Sequence, residues 1–195
     1  RYVLCSTAPE NKDTDFTWAD FQIRNNSELV GIFGNFINRV VVLTNKYWGG
    51  QVPAKCNLTS YDKEVLLELT NCSDKVGQLI EKYKIKEALF EVMNLARLGN
   101  KYLADTEPWK LKNTDESRTG TIINIALQIV SHISVLSEPF LPFTSKKICD
   151  MLKINLASWD DIYELSDGHQ IDSPCLLFSK IEDHEIDDQL NKLNR

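Results

Sequence analysis

Leu29-Val30-Gly31-Ile32-Phe33-Gly34-Asn35-Phe36-Ile37-Asn38-Arg39-Val40-Val41-Val42-Leu43-Thr44-Asn45-Lys46 places apolar side chains at 29, 32, 33, 36, 37, 40, 41 and 43. Steps of three and four residues gather them on one stripe of an α-helix. Upstream, Thr17 is a plausible N-cap with Asp20 three residues on, an acidic variant of the capping box. Downstream, Gly49-Gly50 supplies the residue type that ends helices in a left-handed turn. The expectation is one helix of about 30 residues.

The rest of the chain repeats this pattern. Thr59 or Ser60 can cap a short helix through Leu69, and Ser73 or Asp74 can open another. Ile85 to Leu103 carries Ala88, Leu89, Val92, Leu95, Ala96, Gly99 and Leu103 on one stripe. Gly99 weakens a helix, so its presence there points to a close helix–helix approach. Arg118 to Ser137 is apolar on nearly all sides and predicts the central, most buried helix. Pro139 and Pro142 break it, and a further helix runs to about Leu152. Residues 1–16 read as extended or loop-like, with Pro9 and a polar run. Cys175-Leu176-Leu177-Phe178 reads as a strand or a covering segment, and the last dozen residues as charged and helical or frayed. The fold class is all-α, a bundle of about five helices.

Composition bounds the function. With 195 residues, 43% hydrophobic and 26% charged, the chain can bury one good-sized core. Ile122 to Val135 is the longest apolar stretch, and Asn124, Gln128, Ser131 and His132 interrupt it, so no membrane span is expected. Five cysteines without a C-x-x-C pair fit idle thiols in a reducing, cytoplasmic setting. His132, His169 and His184 lack zinc-ligand spacing. The chain opens on Arg1 rather than Met, and the expectation is a segment of a longer polypeptide. Net charge is −6, unlike the basic footprint of most RNA binders, but it is unevenly spread. Residues 30–118 hold 13 basic and 11 acidic side chains, whereas residues 119–195 hold 6 and 12.

No catalytic constellation emerges. There is no Gly-rich phosphate loop and no G-x-S-x-G. Asp160-Asp161 and Asp187-Asp188 are paired carboxylates in polar tails, where solvated charge is the expected role. His132 lies in the apolar helix and reads as a hydrogen-bonded core histidine. No catalytic residue, cofactor site or metal site is assigned to this chain.

Two features remain. Asn35 and Arg39 are i, i+4 neighbours on the polar face of the long helix, so their ends can converge on one target; a solvated helix face is the alternative. The run Asn100-Lys101-Tyr102-Leu103-Ala104-Asp105-Thr106-Glu107-Pro108-Trp109 ends a helix at a proline, because Pro108 biases Glu107 away from the helical region. Trp109 follows at the break, where a flat π face suits an unpaired base; a core tryptophan is the alternative.

Together these segments resemble the anticodon-binding domain of methionyl-tRNA synthetases. Gly34-Asn35-Phe36-Ile37-Asn38-Arg39 is similar to that domain's first helix, and Asn100 through Lys110 is the most specific block. Asn124-Ile125-Ala126-Leu127-Gln128, Glu138-Pro139-Phe140-Leu141-Pro142-Phe143 and Pro174-Cys175-Leu176-Leu177-Phe178-Ser179-Lys180-Ile181 resemble later elements in order. The resemblance implies that residues 1–16 connect to a catalytic half, residues 17–160 form the anticodon-binding helices and residues 161–195 cover them. It implies that Trp109 stacks on the first anticodon base, while Asn35 and Arg39 help read CAU, with Asn38 and Pro108 in supporting roles. The implied partners are the tRNA anticodon loop and a catalytic domain of the same polypeptide. The implied parent enzyme uses ATP and magnesium, with zinc an optional addition in its catalytic half. A helical protein–protein interaction module without RNA binding and the anticodon domain of another class I synthetase are the competing readings.

Overall fold

The apolar stripe and its two caps produce the long helix they predict. In the computed structural model, which describes residues 1–10, 13–155 and 164–193, α1 spans Tyr2–Ser6 and α2 runs unbroken over Trp18–Trp48. Thr17 accepts a hydrogen bond from the Asp20 amide at 3.1 Å, and Gly49 leaves the helix at φ +60°. Between Arg24 and Gly34 the helix widens to π geometry, which the residue spacing does not signal. Such wide turns cluster at functional sites, and this one ends next to Asn35.

Two expectations need correction. Tyr2–Ser6 is helical rather than extended, because Tyr2 and Val3 are buried in the core and tertiary packing sets a conformation that so short a peptide could not hold alone. The two helices expected between residues 59 and 81 are one, α3, over Ser60–Glu81. Val65, Leu69, Cys72 and Val76 keep one buried stripe running past Ser73 and Asp74, and that continuous face outweighs their weak local preference for a cap. Thr59 caps α3 reciprocally: its hydroxyl accepts from the Asp62 amide at 3.3 Å while Asp62 accepts from the Thr59 amide at 2.8 Å.

Helix α4 spans Ile85–Thr106 and the short α5 spans Pro108–Leu111. Helix α6 covers Glu116–Leu136, α7 Pro142–Leu152 and α8 Asp183–Leu193. Helix α6 is the central strut, buried along nearly its whole length, and α2, α3, α4 and α7 pack around it. By length and composition both α2 and α6 could cross a membrane, but 94% of the apolar window of α6 is buried inside the bundle and α2 is two-faced.

The polar residues of α6 face inward for a purpose. Asn124 donates to the Pro53 carbonyl at 2.8 Å. Gln128 donates to the Leu165 carbonyl and accepts from the Leu165 amide, both at 2.9 Å. They satisfy the backbone of two irregular segments that would otherwise be buried unpaired. His132 is half-buried with Nδ1 2.9 Å from the Gln128 carbonyl, and burial holds its pKa below the usual imidazole range.

Cys175–Phe178 is a covering segment. Among the described residues it joins no strand, the one bridge being Gln51 with Gln170. Leu177 is buried, and the Phe178 ring meets Phe33 of α2 edge-on at 5.9 Å. Asp187 and Asp188 are exposed on α8. Asp160-Asp161, and with them the boundary placed between residues 160 and 161, lie outside the described residues.

Candidate nucleic-acid interface

The interface is assembled where α2 crosses α4. Phe36 lies against Gly99 so closely that a Cβ added there would sit 2.2 Å from the ring. Glycine lets the two backbones approach, as its position on the apolar stripe suggested. With Phe36 fully buried, its neighbours on the opposite face are turned outward: Asn35 and Asn38 are exposed and Arg39 is half-buried.

The other wall comes from the end of α4. Glu107 stops the helix in the left-handed region, at φ 42° and ψ 56°. This conformation is uncommon for a residue with a Cβ, and it marks a junction held by its surroundings. The Glu107 amide donates to the Leu103 carbonyl at 3.0 Å, Thr106 donates to the Tyr102 carbonyl at 2.6 Å, and Lys110 pairs with Glu107 at 2.8 Å. Pro108, which has no amide hydrogen to satisfy, is buried and opens α5. Trp109 is thereby carried to the surface, 38% exposed.

The two walls meet. The Arg39 guanidinium carbon lies 5.2 Å from the centroid of the Trp109 ring, a cation–π contact. Asn35 stands one turn before Arg39 on the same face. Asn38 is on the flank, where with Gly34, Asn35, Cys175, Leu176 and Phe178 it borders an open recess of about 190 Å³. Pro108 is not part of the accessible surface; it is buried at the first position of α5, directly before Trp109. Of the five residues singled out in the sequence, Arg39 and Trp109 touch, Asn35 adjoins them, Asn38 lies beside them and Pro108 lies beneath.

Two elements behind the surface escaped the sequence reading. The first is Asn100, which links α4 to the π-helical stretch: its Nδ2 donates to the Ile32 and Ala96 carbonyls, each at 3.0 Å, and its Oδ1 accepts from Asn35 Nδ2 at 3.4 Å. It lay in plain view at the head of the most specific block, but only the crossing of the helices reveals its partners. The second is Asp62. It is fully buried, accepts from Tyr102 at 2.6 Å and from Arg118 Nη2 at 2.9 Å, and makes a second short bond to Arg118. Burial pushes its pKa up, but the Arg118 fork, the Tyr102 hydroxyl and the Thr59 donors outweigh burial and hold it at about 2. Burial, and then the bond to the Asp62 carboxylate, push the Tyr102 hydroxyl well above the usual phenol range, against the opposing pull of the Arg118 charge. Asp62 so ties α3, α4 and α6 together one and a half turns from the Trp109 junction.

Chemically the surface offers a flat π face, a planar guanidinium and a primary amide. These can stack on, and hydrogen-bond to, a planar heterocycle. They hold no nucleophile paired with a base. Among the described residues, no three His, Cys, Asp or Glu side chains converge as a metal site would require.

Comparison with known proteins identifies the family. A family model described as the anticodon binding domain of methionyl tRNA ligase matches residues 52–194, and one described as tRNA synthetases class I (M) matches residues 1–41. Asn35, Asn38 and Arg39 thus fall within one match and Trp109 within the other. The methionine–tRNA ligase of Phocaeicola vulgatus is 53% identical over 196 residues, covering 99% of this chain and 29% of that protein. That of Christiangramia forsetii is 55% identical over 203 residues, with the same coverage. The chain therefore spans 29% of the length of these relatives. Among solved structures, the apo form of Mycobacterium tuberculosis methionyl-tRNA synthetase superposes with a TM-score of 0.85 over 93% of this chain and 38% of that one; at 21% identity this likeness concerns the fold.

Proposed function

The chain belongs to the anticodon-binding family of methionyl tRNA ligases, and we propose that it reads the CAU anticodon of the methionine tRNA. The observation that carries this reading is the Arg39–Trp109 contact, which joins a stacking face to a hydrogen-bonding fork on an exposed helix junction. Sequence-specific RNA recognition favours single-stranded loops, whose bases can be splayed out, stacked and read along their edges. Trp109 supplies stacking, which favours any base about equally. Arg39, with its planar fork, and Asn35, with one donor and one acceptor edge, supply discrimination. Pro108 aims the indole and Asn38 borders the site. A protein–protein interaction module finds no separate support once the family is known.

The whole protein of which such a domain is part attaches methionine to its tRNA with ATP and magnesium, in the cytoplasm. None of that chemistry is assigned to these residues. Residues 1–16 serve as the connector to the catalytic half, 17–160 as the anticodon-reading helices and 161–195 as their cover.

The test is titration with a CAU anticodon stem-loop at low salt, following amide shifts, with a changed-anticodon hairpin as control. Low salt matters because phosphate contacts weaken as salt rises. Selective shifts around Asn35, Arg39 and Trp109 are expected. Trp109→Ala should weaken binding to both hairpins alike, by about 1–3 kcal/mol. CAU binding that ignores Trp109→Ala would overturn the assignment.

A further inference from the structure

We infer that Asn100 is a positioning residue that fixes the amide of Asn35 with its oxygen outward, so that the site selects a base edge bearing an exocyclic amino group and rejects a keto edge. The inference rests on the anticodon-reading proposal and deepens it by assigning the polarity of one contact.

A primary amide has one donor end and one acceptor end, and its orientation is read from what each end meets. Asn100 Nδ2 lies 3.0 Å from two carbonyl oxygens, those of Ile32 and Ala96. Both are acceptors only, so the nitrogen of Asn100 must point there. Its oxygen is then the group that faces Asn35, and an oxygen accepts only from the Asn35 nitrogen, 3.4 Å away. Asn35 Oδ1 is left as the exposed edge, and an oxygen there is an acceptor. Without Asn100, an exposed asparagine rotates freely between its two presentations and prefers neither class of base.

An acceptor finds a partner on cytosine N4 or adenine N6, both amino groups. It meets repulsion at uracil O4 or guanine O6, both acceptors. The first two bases of CAU carry amino groups and the third does not. The carbonyl of Ile32 that anchors Asn100 belongs to the π-helical stretch of α2, so the wide turn is part of the device: it fixes the amide that fixes the reader.

The experiment measures dissociation constants of the chain for three hairpins, CAU, UAU and CGU, at one fixed low salt concentration. The last two replace an amino base by a keto base at the first and second positions. The wild-type chain should prefer CAU over one of them by roughly tenfold or more, and Asn35→Ala should identify which by abolishing that preference. Asn100→Ala should reduce the same preference to under about threefold while thermal unfolding shows a folded chain. Asn35→Asp combined with Asn100→Ala should restore the preference, because a carboxylate presents an acceptor whichever way it turns. Taking the ratio between hairpins cancels the phosphate repulsion it adds.

Equal loss of affinity for all hairpins in Asn100→Ala, with the preference kept, would overturn the inference and leave Asn100 a packing residue. So would a double variant that stays indifferent. Failure of the wild-type chain to distinguish any hairpin would instead count against the anticodon-reading proposal.

Discussion

Gly99→Ala should destabilise the fold and loosen the candidate interface together, although alanine is the better helix former. In an exposed helix interior the exchange would stabilise by about 1 kcal/mol. Here the added carbon would lie 2.2, 2.3 and 2.6 Å from three atoms of the Phe36 ring, whereas carbon–carbon contacts are comfortable at roughly 3.5–4.0 Å. Helix α2 must therefore back away from α4 by about 1 Å, or the ring must leave its rotamer. Phe36 has no free surface to turn into, being fully buried. Overpacking of this kind costs about 1–3 kcal/mol and sometimes more, and clashes this deep belong at the upper end. The expected net loss is about 2 kcal/mol, a fall in melting temperature of roughly 4–8 °C for a chain of this size. The displacement also separates Asn35 and Arg39 from Asn100 and Trp109, so discrimination among anticodon hairpins should fall beyond what lost stability explains. Thermal unfolding and hairpin titration of Gly99→Ala, Phe36→Leu and the double variant test this. The double variant should be less destabilised than the sum of the two. A Gly99→Ala chain as stable as the wild type, with its hairpin preference intact, would refute the packing argument.

Asp62 gives a pH dependence with a definite sign. Its folded-state pKa of about 2 lies below the ordinary value of 3.8, so the folded state favours the carboxylate. The stability it contributes is complete above about pH 4 and is lost as pH falls through 2; the shift corresponds to about 2 kcal/mol. Urea midpoints between pH 5 and pH 2 should converge for the wild type and Asp62→Asn, and parallel curves would exclude Asp62 as the source. Arg39→Lys should lower CAU affinity by about 1 kcal/mol at unchanged salt dependence, since lysine keeps the charge but loses the planar fork and its stacking on Trp109. A Lys variant that binds like the wild type would mean that charge alone acts at this position.

The bundle was legible because its determinants are local and periodic. The stripe of α2, its Thr17 and Gly49 caps, the all-round apolarity of α6 and the anomalous Gly99 each state a packing requirement within a few neighbouring residues. What failed was of another kind. Ser73 and Asp74 looked like a helix start, and only the partners of Val65, Leu69, Cys72 and Val76 show why they are not. The helical turn at Tyr2 depends on burial against residues far along the chain. The candidate site divides along the same line. Asn35 and Arg39 are neighbours by helical spacing and Pro108-Trp109 is a local break, but spacing alone left a solvated face and a core tryptophan as alternatives, and it was the family resemblance that singled those residues out. Asn100 and Asp62 act through partners 65 and 56 residues away, and no local pattern encodes such pairings. The π-helical stretch is likewise invisible, since the spacing of its apolar residues is that of an ordinary α-helix.

The charge distribution fits a reader that discriminates more than it attracts. Near the junction most cations are already engaged: Lys110 with Glu107, Lys101 with Asp105 and Lys112 with Glu116. Arg39 and Lys46, on the exposed face of α2, instead lie against aromatic rings, those of Trp109 and Tyr47. Among the described residues neither is paired with a carboxylate. A surface with so few uncommitted cations displaces few counterions from a nucleic acid, so its affinity for an arbitrary strand is small. Whatever binding it achieves must come from stacking and from edge contacts in fixed orientation. These are the terms that depend on which base is present. A strongly basic patch would add affinity for every tRNA alike, whereas a nearly neutral one leaves the difference between anticodons as a large share of the total. The near-neutral balance of residues 30–118 is in these terms a condition for selectivity rather than a deficit in an RNA-binding domain.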